Sequence, residues 1–241
     1  MIHIYVALGL LVLAAVAGFI GRRQSTKTDT YDLYVEATRA SELAPGVPGF
    51  YGGAVTALAG QQQLVAPYSK QPCVWYEFTL EQEVMQRGSD GVETPEWQPI
   101  SQAQPQGVTF GLQAAGEQVW VNPMNANVNK PQQYESFVEP QALQAGDLLS
   151  AVASTVNFLS NNQVRVRERY LPLGQQLYAG GVTQDQAGQK VFVNDQSYPL
   201  VLTPQSKADL VRSGRRTSVV EYAAGMTLFV AAVAVLVLVK K

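Results

Sequence analysis

Two long apolar runs, at residues 4–20 and 222–239, stand apart from the rest of the chain in their hydrophobic pattern. Neither run contains a charged residue. Each is close to the roughly 20 residues that a helix needs to cross about 30 Å of hydrocarbon, and a lone segment can satisfy its backbone in lipid only as a helix. We therefore predict transmembrane helices in residues 1–21 and 218–241, with a soluble domain in residues 22–217 between them.

The segment 72–80 is the clearest strand of this domain, because apolar and aromatic residues alternate along it with period two. The alternation gives two faces: Val74, Tyr76, Phe78 and Leu80 on one, and Cys73, Trp75, Glu77 and Thr79 on the other. Pro72 fits at the start, where a strand tolerates proline. We predict a half-buried core strand that offers Trp75 and Glu77, on its second face, to a partner.

Shorter segments with strand and turn signals fill most of the remaining domain. Strands are predicted at 51–59, 97–100, 108–112, 119–121, 164–170, 176–182, 190–193 and 198–202. Helical spacing or capping residues predict helices at 31–43, 142–159 and 203–213. The polar run 124–139 is predicted to be a long loop. About eight short strands with frequent turns favour a mainly β (α+β) fold, a small antiparallel barrel or sandwich.

Charge is distributed unevenly along the chain. Between residues 30 and 205 we count eight Lys or Arg against sixteen Asp or Glu. An acidic domain is a poor nucleic-acid binder, because phosphate neutralisation dominates that affinity. The basic side chains near the apolar runs are instead expected to bind lipid headgroups; they include Arg22, Arg23, Arg212, Arg215 and Arg216.

The same basic residues predict the orientation of the chain. Positive charge stays on the cytoplasmic side of a membrane. Because most of it lies on the inner side of both apolar runs, we predict a two-pass integral membrane protein. Its soluble domain is expected in the cytoplasm, with both termini outside.

Three arginines, Arg165, Arg167 and Arg169, fall on one face of a predicted strand. One interpretation is a binding site for anions. The commoner arrangement is a solvated face, or pairing with acidic residues on neighbouring strands. We keep these arginines, with Trp75 and Glu77, as binding candidates.

Most catalytic arrangements are excluded by composition. The only histidine is His3 and the only cysteine is Cys73. These cannot form a Ser-His-Asp triad, a Cys-His pair in the domain, or a common zinc site. Cys73, with only Lys70 nearby as a positive neighbour, is better interpreted as a small buried hydrophobe. We therefore predict no catalytic residue, no metal site and no cofactor.

A carboxylate-dependent enzyme remains as an alternative. The acidic residues of the region that contains the 72–80 strand could supply an acid and a base; they are Glu77, Glu81, Glu83, Glu93 and Glu96. A solvated strand face explains them better.

Four segments resemble a known family: 66–77 (APYSKQPCVWYE), 168–174 (ERYLPLG), 177–180 (LYAG), and 198–202 (YPLVL) with Ser206 and Leu210 shortly after. In this order, and with an apolar run at each end, they resemble the GIDE/MULAN family. Its BAM ("beside a membrane") domain lies between two transmembrane helices. The resemblance covers most of the chain, from about residue 37 to 239.

The resemblance implies an architecture more than an activity. Eukaryotic members of that family are mitochondrial E3 ubiquitin ligases with a zinc-binding RING, and one cysteine cannot supply a RING. We therefore expect a RING-less, prokaryotic-type member: a membrane-anchored, non-catalytic scaffold or sensor that self-assembles or binds a protein partner. The alternative is a component of a ubiquitin-ligase-like system that acts with a separate catalytic subunit.

Overall fold

The protein is described by a computed structural model covering residues 32–61, 63–89, 91–138, 163–213 and 227. These residues divide into two compact units. The first contains residues 32–36, 48–50, 205–213 and 227, and the second contains residues 37–47 and 51–204 wherever these are described.

Most secondary structure among the described residues is β-strand. These residues contain fourteen strands, one short 3-10 turn and a helical segment at 207–213. The strands are β1 Val35–Ala37, β2 Pro48–Ala57, β3 Leu64–Val65, β4 Pro72–Arg87, β5 Glu93–Gln102, β6 Gln106–Gly107, β7 Phe110–Ala114, β8 Glu117–Val121, β9 Asn127–Val128, β10 Gln132–Val138, β11 Val164–Pro172, β12 Gln176–Gln186, β13 Gln189–Val193 and β14 Val201–Thr203. The 3-10 turn is Ala40–Glu42. The prediction of a mainly β fold is confirmed.

One sheet closes on itself. Its strand order is β1-β2-β7-β8-β13-β12-β14-β9, and β12 also pairs with β2. That extra pairing joins β2, β7, β8, β13 and β12 into a small barrel. At the seam the Val55 N–H donates to the Gln175 carbonyl at 2.9 Å, and the Gly174 N–H donates to the Val55 carbonyl at 2.9 Å. A Cβ at Gly52 would lie 2.3 Å from the Tyr178 ring, so only glycine permits this approach.

The barrel interior is filled by inward-facing apolar side chains. Alternate residues of β7 and β8 are completely buried, as are residues of β12 and β13; they include Phe110, Leu112, Val119, Val121, Leu177, Ala179 and Phe192. Burial of these side chains contributes most of the stability of this sheet, since apolar area removed from water is the dominant favourable term in folding.

A second sheet is built around β4, a strand of 16 residues. Its order is β10-β11-β4-β3, and β5 and β6 also pair with β4. β5 forms a long antiparallel hairpin with β4, in which Arg87 lies opposite Glu93. Pro95 and Pro99 fit in β5 because it pairs only with β4 among the described strands, and proline within a sheet is tolerated on edge strands.

The predicted helix at 31–43 is wrong. From residue 32, where the description of this segment begins, Asp32 is the one α-helical residue, and β1 and the 3-10 turn follow. The Glu42 carboxylate accepts a hydrogen bond from the Thr38 N–H at 2.7 Å, and Glu117 accepts one from the Ala40 N–H at 2.5 Å. These side chains bind backbone N–H groups that a continuous helix would use, so the segment stops after one short turn.

The predicted loop at 124–139 is also wrong, because it contains β9 and β10. All seven residues of β10 pair with β11, from Gln132 opposite Tyr170 to Val138 opposite Val164. Strand pairing uses backbone groups, so a long partner strand can hold a polar sequence that lacks its own alternation.

The predicted C-terminal helix begins later than expected. Ser206 caps it, not Thr203, which lies in β14. The Ser206 hydroxyl donates to the Asp209 carboxylate at 2.7 Å and accepts from the Asp209 N–H at 3.2 Å. The Ser206 hydroxyl thereby satisfies one backbone donor of the first helical turn, the Asp209 N–H.

Several predictions concern residues outside those that the structure describes. The predicted transmembrane helices, with the exception of Thr227, lie outside the described residues, as does the predicted helix at 142–159. Among the residues that are described, no helix has the length and apolar character needed to cross a membrane. Both transmembrane helices therefore stay predictions.

Candidate protein-interaction face

The three arginines of β11 lie on one face of the second sheet, together with three glutamates of the neighbouring strands. We call this the Arg/Glu face; its members are Glu77, Glu81, Glu135, Arg165, Arg167 and Arg169. Strand register creates it, because Arg169 lies opposite Glu77 and Arg165 opposite Glu81, while Arg167 lies opposite Glu135 on β10. Alternation along each strand brings all six side chains to the same side.

Each arginine of the face is paired with a carboxylate. Arg165 lies 2.5 Å from Glu81, and Arg167 lies 3.4 Å from Glu81 and 3.3 Å from Glu135. Arg169 pairs with Glu77 and also donates to the Val128 carbonyl at 3.1 Å. Three positive and three negative charges therefore compensate one another. Pairing with acidic residues is one of the alternatives that the sequence left open, and it leaves little excess positive charge for an anion.

Burial differs along the face. The side chains of Arg165 and Glu81 are only 13% and 12% exposed, whereas those of Arg167 and Glu135 are 51% and 46% exposed. Trp97 explains the difference, because its ring centroid lies 4.4 Å from the Arg165 guanidinium carbon, a cation–π distance. The most buried ion pair thus lies beneath an aromatic ring.

A second aromatic ring extends this cover towards solvent. Phe137 packs against Trp97 with ring centroids 5.8 Å apart, yet it is 61% exposed. Tyr134, on the same strand, is 36% exposed. Neither Trp97 nor Phe137 is among the binding candidates predicted from the sequence. The available signal was a large aromatic residue in each of two otherwise polar segments, which a core would not require.

Trp75 does not lie on this exposed surface, which corrects the prediction that it is offered to a partner. It is 4% exposed and packs in the main apolar cluster, beside Val74 and Leu171. The register of Trp75 is continuous with that of Glu77, so the two still share a face, and Trp75 is buried because its end of that face packs in the apolar cluster. The register shifts one step further on: Leu171 pairs with Trp75 but Pro172 pairs with Cys73, so Val74 is an extra, bulged residue. Beyond the bulge the alternation changes face, and Cys73 joins the cluster of Tyr76. Glu77 lies on the Arg/Glu face as an ion-pair partner of Arg169.

A buried carboxylate, Glu168, lies on the opposite side of β11 from the arginines. It is fully buried, and its oxygens accept hydrogen bonds from the N–H groups of Tyr68 at 2.9 Å and Ser69 at 2.7 Å. It thereby holds the turn that precedes β4. Burial and, second, the Glu168 charge raise the pKa of Tyr68 to about 12.

Cys73 is inert in this environment. It is 1% exposed and free, and burial followed by the Glu168 charge raises its pKa to about 11. A thiol with such a pKa is almost entirely protonated at neutral pH, whereas the thiolate is the nucleophile. The interpretation of Cys73 as a small buried hydrophobe is confirmed.

Comparison with known families shows to which family the chain belongs. The family described as GIDE, E3 ubiquitin ligase, matches residues 81–238, well over half of the sequence. The chain belongs to the GIDE family. No curated protein and no solved structure matches it.

The GIDE match covers much of the candidate face. It includes Glu81, Trp97 and Phe137, and all three arginines of β11, but it begins after Trp75 and Glu77. The match confirms the resemblance to the GIDE family that was inferred from the sequence.

A ligase RING would need zinc, and the donors of this chain do not fit it. Zinc is held there by four cysteine and histidine ligands. The sequence has one cysteine and one histidine, and the cysteine is the buried Cys73. Within the described residues, no group of three or more His, Cys, Asp and Glu side chains is placed to hold a metal ion. We derive no zinc chemistry for this GIDE chain.

The five carboxylates kept for an enzymatic alternative do not converge on a described cavity. Glu77 and Glu81 are paired with arginines. Glu83 lies opposite Trp97 whereas Glu96 lies opposite Val84, so these two carboxylates project from opposite faces of the hairpin. A cavity of about 270 Å³ beside β10 and β11 is lined by none of the five; it is lined by Gln133, Tyr134, Glu135, Arg167, Glu168 and Arg169.

Of the five arginines predicted to bind lipid headgroups, the described residues include Arg212, whose side chain is 81% exposed. It lines a cavity of about 570 Å³ in the first unit. The other four, Arg22, Arg23, Arg215 and Arg216, lie outside the described residues.

Proposed function

We propose that this GIDE-family chain is a membrane-anchored, non-catalytic interaction protein that holds a protein partner, or further copies of itself, at a membrane surface. The two apolar runs supply the anchors, and the basic residues beside them favour a cytoplasmic domain. A scaffold or sensor needs a rigid binding face and no reactive group. The Arg/Glu face has that character.

The observation that carries the proposal is an aromatic pair, half-buried Trp97 and exposed Phe137, on a compensated charge network. Phe137 is 61% exposed and rests on Trp97, which in turn covers Arg165. Aromatic residues and arginine are enriched at protein interfaces and dominate their binding energy. A ring that is already fixed by its neighbours loses little conformational entropy when a partner covers it.

The charge balance of the face favours a protein partner over nucleic acid. Nucleic-acid binding depends on excess positive charge that neutralises phosphates. Here three arginines are already paired with three glutamates. The half-exposed Arg167 and Glu135 keep both signs accessible, which suits a polar interface rim.

Affinity purification tests this function. Full-length wild-type protein and the Phe137→Ala and Val65→Ala variants would be purified from native membranes in mild detergent, with quantitative mass spectrometry and sizing. We expect Phe137→Ala to reduce partner recovery, or self-association, about tenfold, the effect of an interface hot spot. Val65 is 53% exposed on β3, a matched control that should leave recovery unchanged. A monomeric wild-type protein that recovers no partner would contradict the proposal.

The family match favours one second candidate, a component of a ubiquitin-ligase-like system that acts with a separate catalytic subunit. Its test is the identity of the recovered partner. A RING-bearing, E2-like or ubiquitin-like protein captured by wild type and lost from Phe137→Ala would support it. Recovery of partners with none of these folds would refute this version while leaving the scaffold proposal in place.

A further inference from the structure

The first unit contains a cavity whose lining carries both signs of charge. It measures about 570 Å³ and is lined by Asp32, Glu36, Lys207, Arg212, Ala208 and Val211. Two carboxylates, two basic groups and two small apolar side chains therefore share one cavity. Its volume is within the range of about 300–1,000 Å³ that is common for small-molecule sites.

Its walls are held together by a specific contact. The Lys207 ammonium donates a hydrogen bond to the Tyr34 carbonyl at 2.6 Å, which ties the helical segment 207–213 to residues 32–36. The Tyr34 ring is 2% exposed and stacks on Phe50 with centroids 6.5 Å apart. Packing thus fixes the backbone between Asp32 and Glu36.

The charged groups around the cavity keep accessible surface. The Arg212 side chain is 81% exposed, and its nearest described carboxylate, Asp209, is 4.0 Å away at the limit of an ion pair. Asp32 and Glu36 are exposed residues. An exposed pair at that separation contributes little, so Arg212 can exchange Asp209 for a ligand at small cost.

We propose that this cavity binds the zwitterionic headgroup of an aminophospholipid, with its phosphate at Lys207 and Arg212 and its primary ammonium at Asp32 and Glu36. A simple anion would meet two carboxylates there, and a simple cation would meet two basic groups. A molecule with phosphate and ammonium on adjacent carbons satisfies both pairs. The inference rests on the proposed membrane anchoring.

Chain length places the cavity at the membrane surface. Arg212 is six residues from the predicted start of the second transmembrane helix at 218, so it lies within about 22 Å of it even if the chain is fully extended. Asp32 follows the first predicted helix by eleven residues. Leu33 and Val35, next to the cavity residues, are 61% and 55% exposed, and apolar side chains are tolerated in the headgroup layer.

The proposal distinguishes this cavity from general attraction to anionic lipids. A collar of arginines attracts any anionic headgroup and does not select among them. The carboxylates of the cavity add selection, because they repel a headgroup that is only negative. They also favour a primary ammonium over a trimethylated one, since only the former donates hydrogen bonds.

The test is lipid retention by the full-length protein. Delipidated protein would be reconstituted with an equimolar mixture of phosphatidylethanolamine, phosphatidylglycerol and phosphatidylcholine, and retained lipids would be counted by native mass spectrometry. We expect wild type to retain phosphatidylethanolamine about fivefold over each of the others. The double variant Asp32→Asn, Glu36→Gln should lose this preference. Glu93→Gln, an exposed carboxylate of the β4–β5 hairpin, should keep it.

Two further outcomes complete the test. Arg212→Gln should lower retention of all three phospholipids while leaving the preference, since it removes a phosphate partner and no ammonium partner. Equal retention by wild type, or a preference that survives in the double variant with an unchanged melting curve, would overturn the inference. Anchoring is measured separately: protein released from membranes by alkaline carbonate would contradict the proposed function, whatever the lipid result.

Discussion

Some residues of the second sheet are buried and stabilise it, and others lie at its surface, where a partner can contact them. Two tryptophans illustrate this difference. Trp75 is 4% exposed in the core, whereas Trp97 lies half-buried over Arg165. Truncation should therefore separate stability from binding. We expect Trp75→Ala to lower the free energy of unfolding by about 3–5 kcal/mol, as for other buried aromatics.

The matched variant, Trp97→Ala, should lower the free energy of unfolding clearly less than Trp75→Ala does. Its main effect should be weaker partner recovery. Urea unfolding of both variants, followed by circular dichroism, measures the first quantity. A Trp97→Ala variant as unstable as Trp75→Ala would show that Trp97 belongs to the core, against our assignment.

Glu168 is the charged residue whose removal should be most costly among those described. Its two hydrogen bonds to backbone N–H groups are buried, so Glu168→Ala leaves both donors without an acceptor. We expect destabilisation of about 3 kcal/mol, from the loss of buried bonds to a charged group. Glu93→Ala, at an exposed position, should change stability by less than about 0.5 kcal/mol. Equal effects in urea unfolding would refute a structural role for Glu168.

The reactivity of Cys73 gives a pH-dependent prediction. Because its pKa is raised to about 11, the thiolate is scarce at pH 7 and increases as pH rises. Folded protein should resist iodoacetamide at pH 7, and protein in denaturant should react completely. In a Cys73→Ser background, Ser89→Cys in the exposed hairpin turn should react quickly in the folded state. Rapid alkylation of folded wild type would contradict the buried position.

At the scale of elements, the Arg/Glu face combines pairs of unequal burial on neighbouring strands. Double-mutant cycles should show this difference directly. We expect a coupling free energy of about 2 kcal/mol between Arg165 and Glu81, which lie beneath Trp97, and under about 0.5 kcal/mol between the half-exposed Arg167 and Glu135. Similar coupling in both pairs would mean that Trp97 does not shield the first.

Strands were predictable from the sequence where their pattern of side chains specifies them. They were not predictable where a strand is held mainly by backbone pairing with its neighbour. The arginine spacing of β11 predicted one shared face, which the structure shows, and left open whether the arginines pair with acids, as they do. β10 was taken for a loop, because its polar residues carry no alternation and it is held by β11. The bulge at Val74 has no sequence signature, and it places Cys73 on the face of Tyr76, opposite the face that the sequence predicted. Phe137 reaches Trp97 only because β10 pairs with β11, so their contact was not predictable.

At the scale of the whole molecule, frequent turns and short strands predicted a small barrel or sandwich, and the β2–β12 pairing closes a barrel. Which strands close it was not predictable, since that pairing joins segments far apart in sequence. The polar lining of the cavity in the first unit was likewise not predictable, because residues 32–36 and 205–213 are separated by most of the chain.

Membrane topology can be measured with the same hairpin position. In the Cys73→Ser background, Ser89→Cys should react with a membrane-impermeant maleimide in inside-out vesicles and not in right-side-out vesicles. This follows from basic residues on the inner side of both predicted spans, which favour a cytoplasmic domain. Labelling only in right-side-out vesicles would reverse the orientation.

The central claim, that the exposed aromatic end of the Arg/Glu face binds a protein at the membrane, is tested most directly by photo-crosslinking in native membranes. A photoreactive phenylalanine analogue would be placed at position 137, and at position 65 as a control of similar exposure. We predict a discrete adduct, with a partner or a second copy of the chain, from position 137 alone. No adduct at position 137, or the same adduct from both positions, would contradict the account.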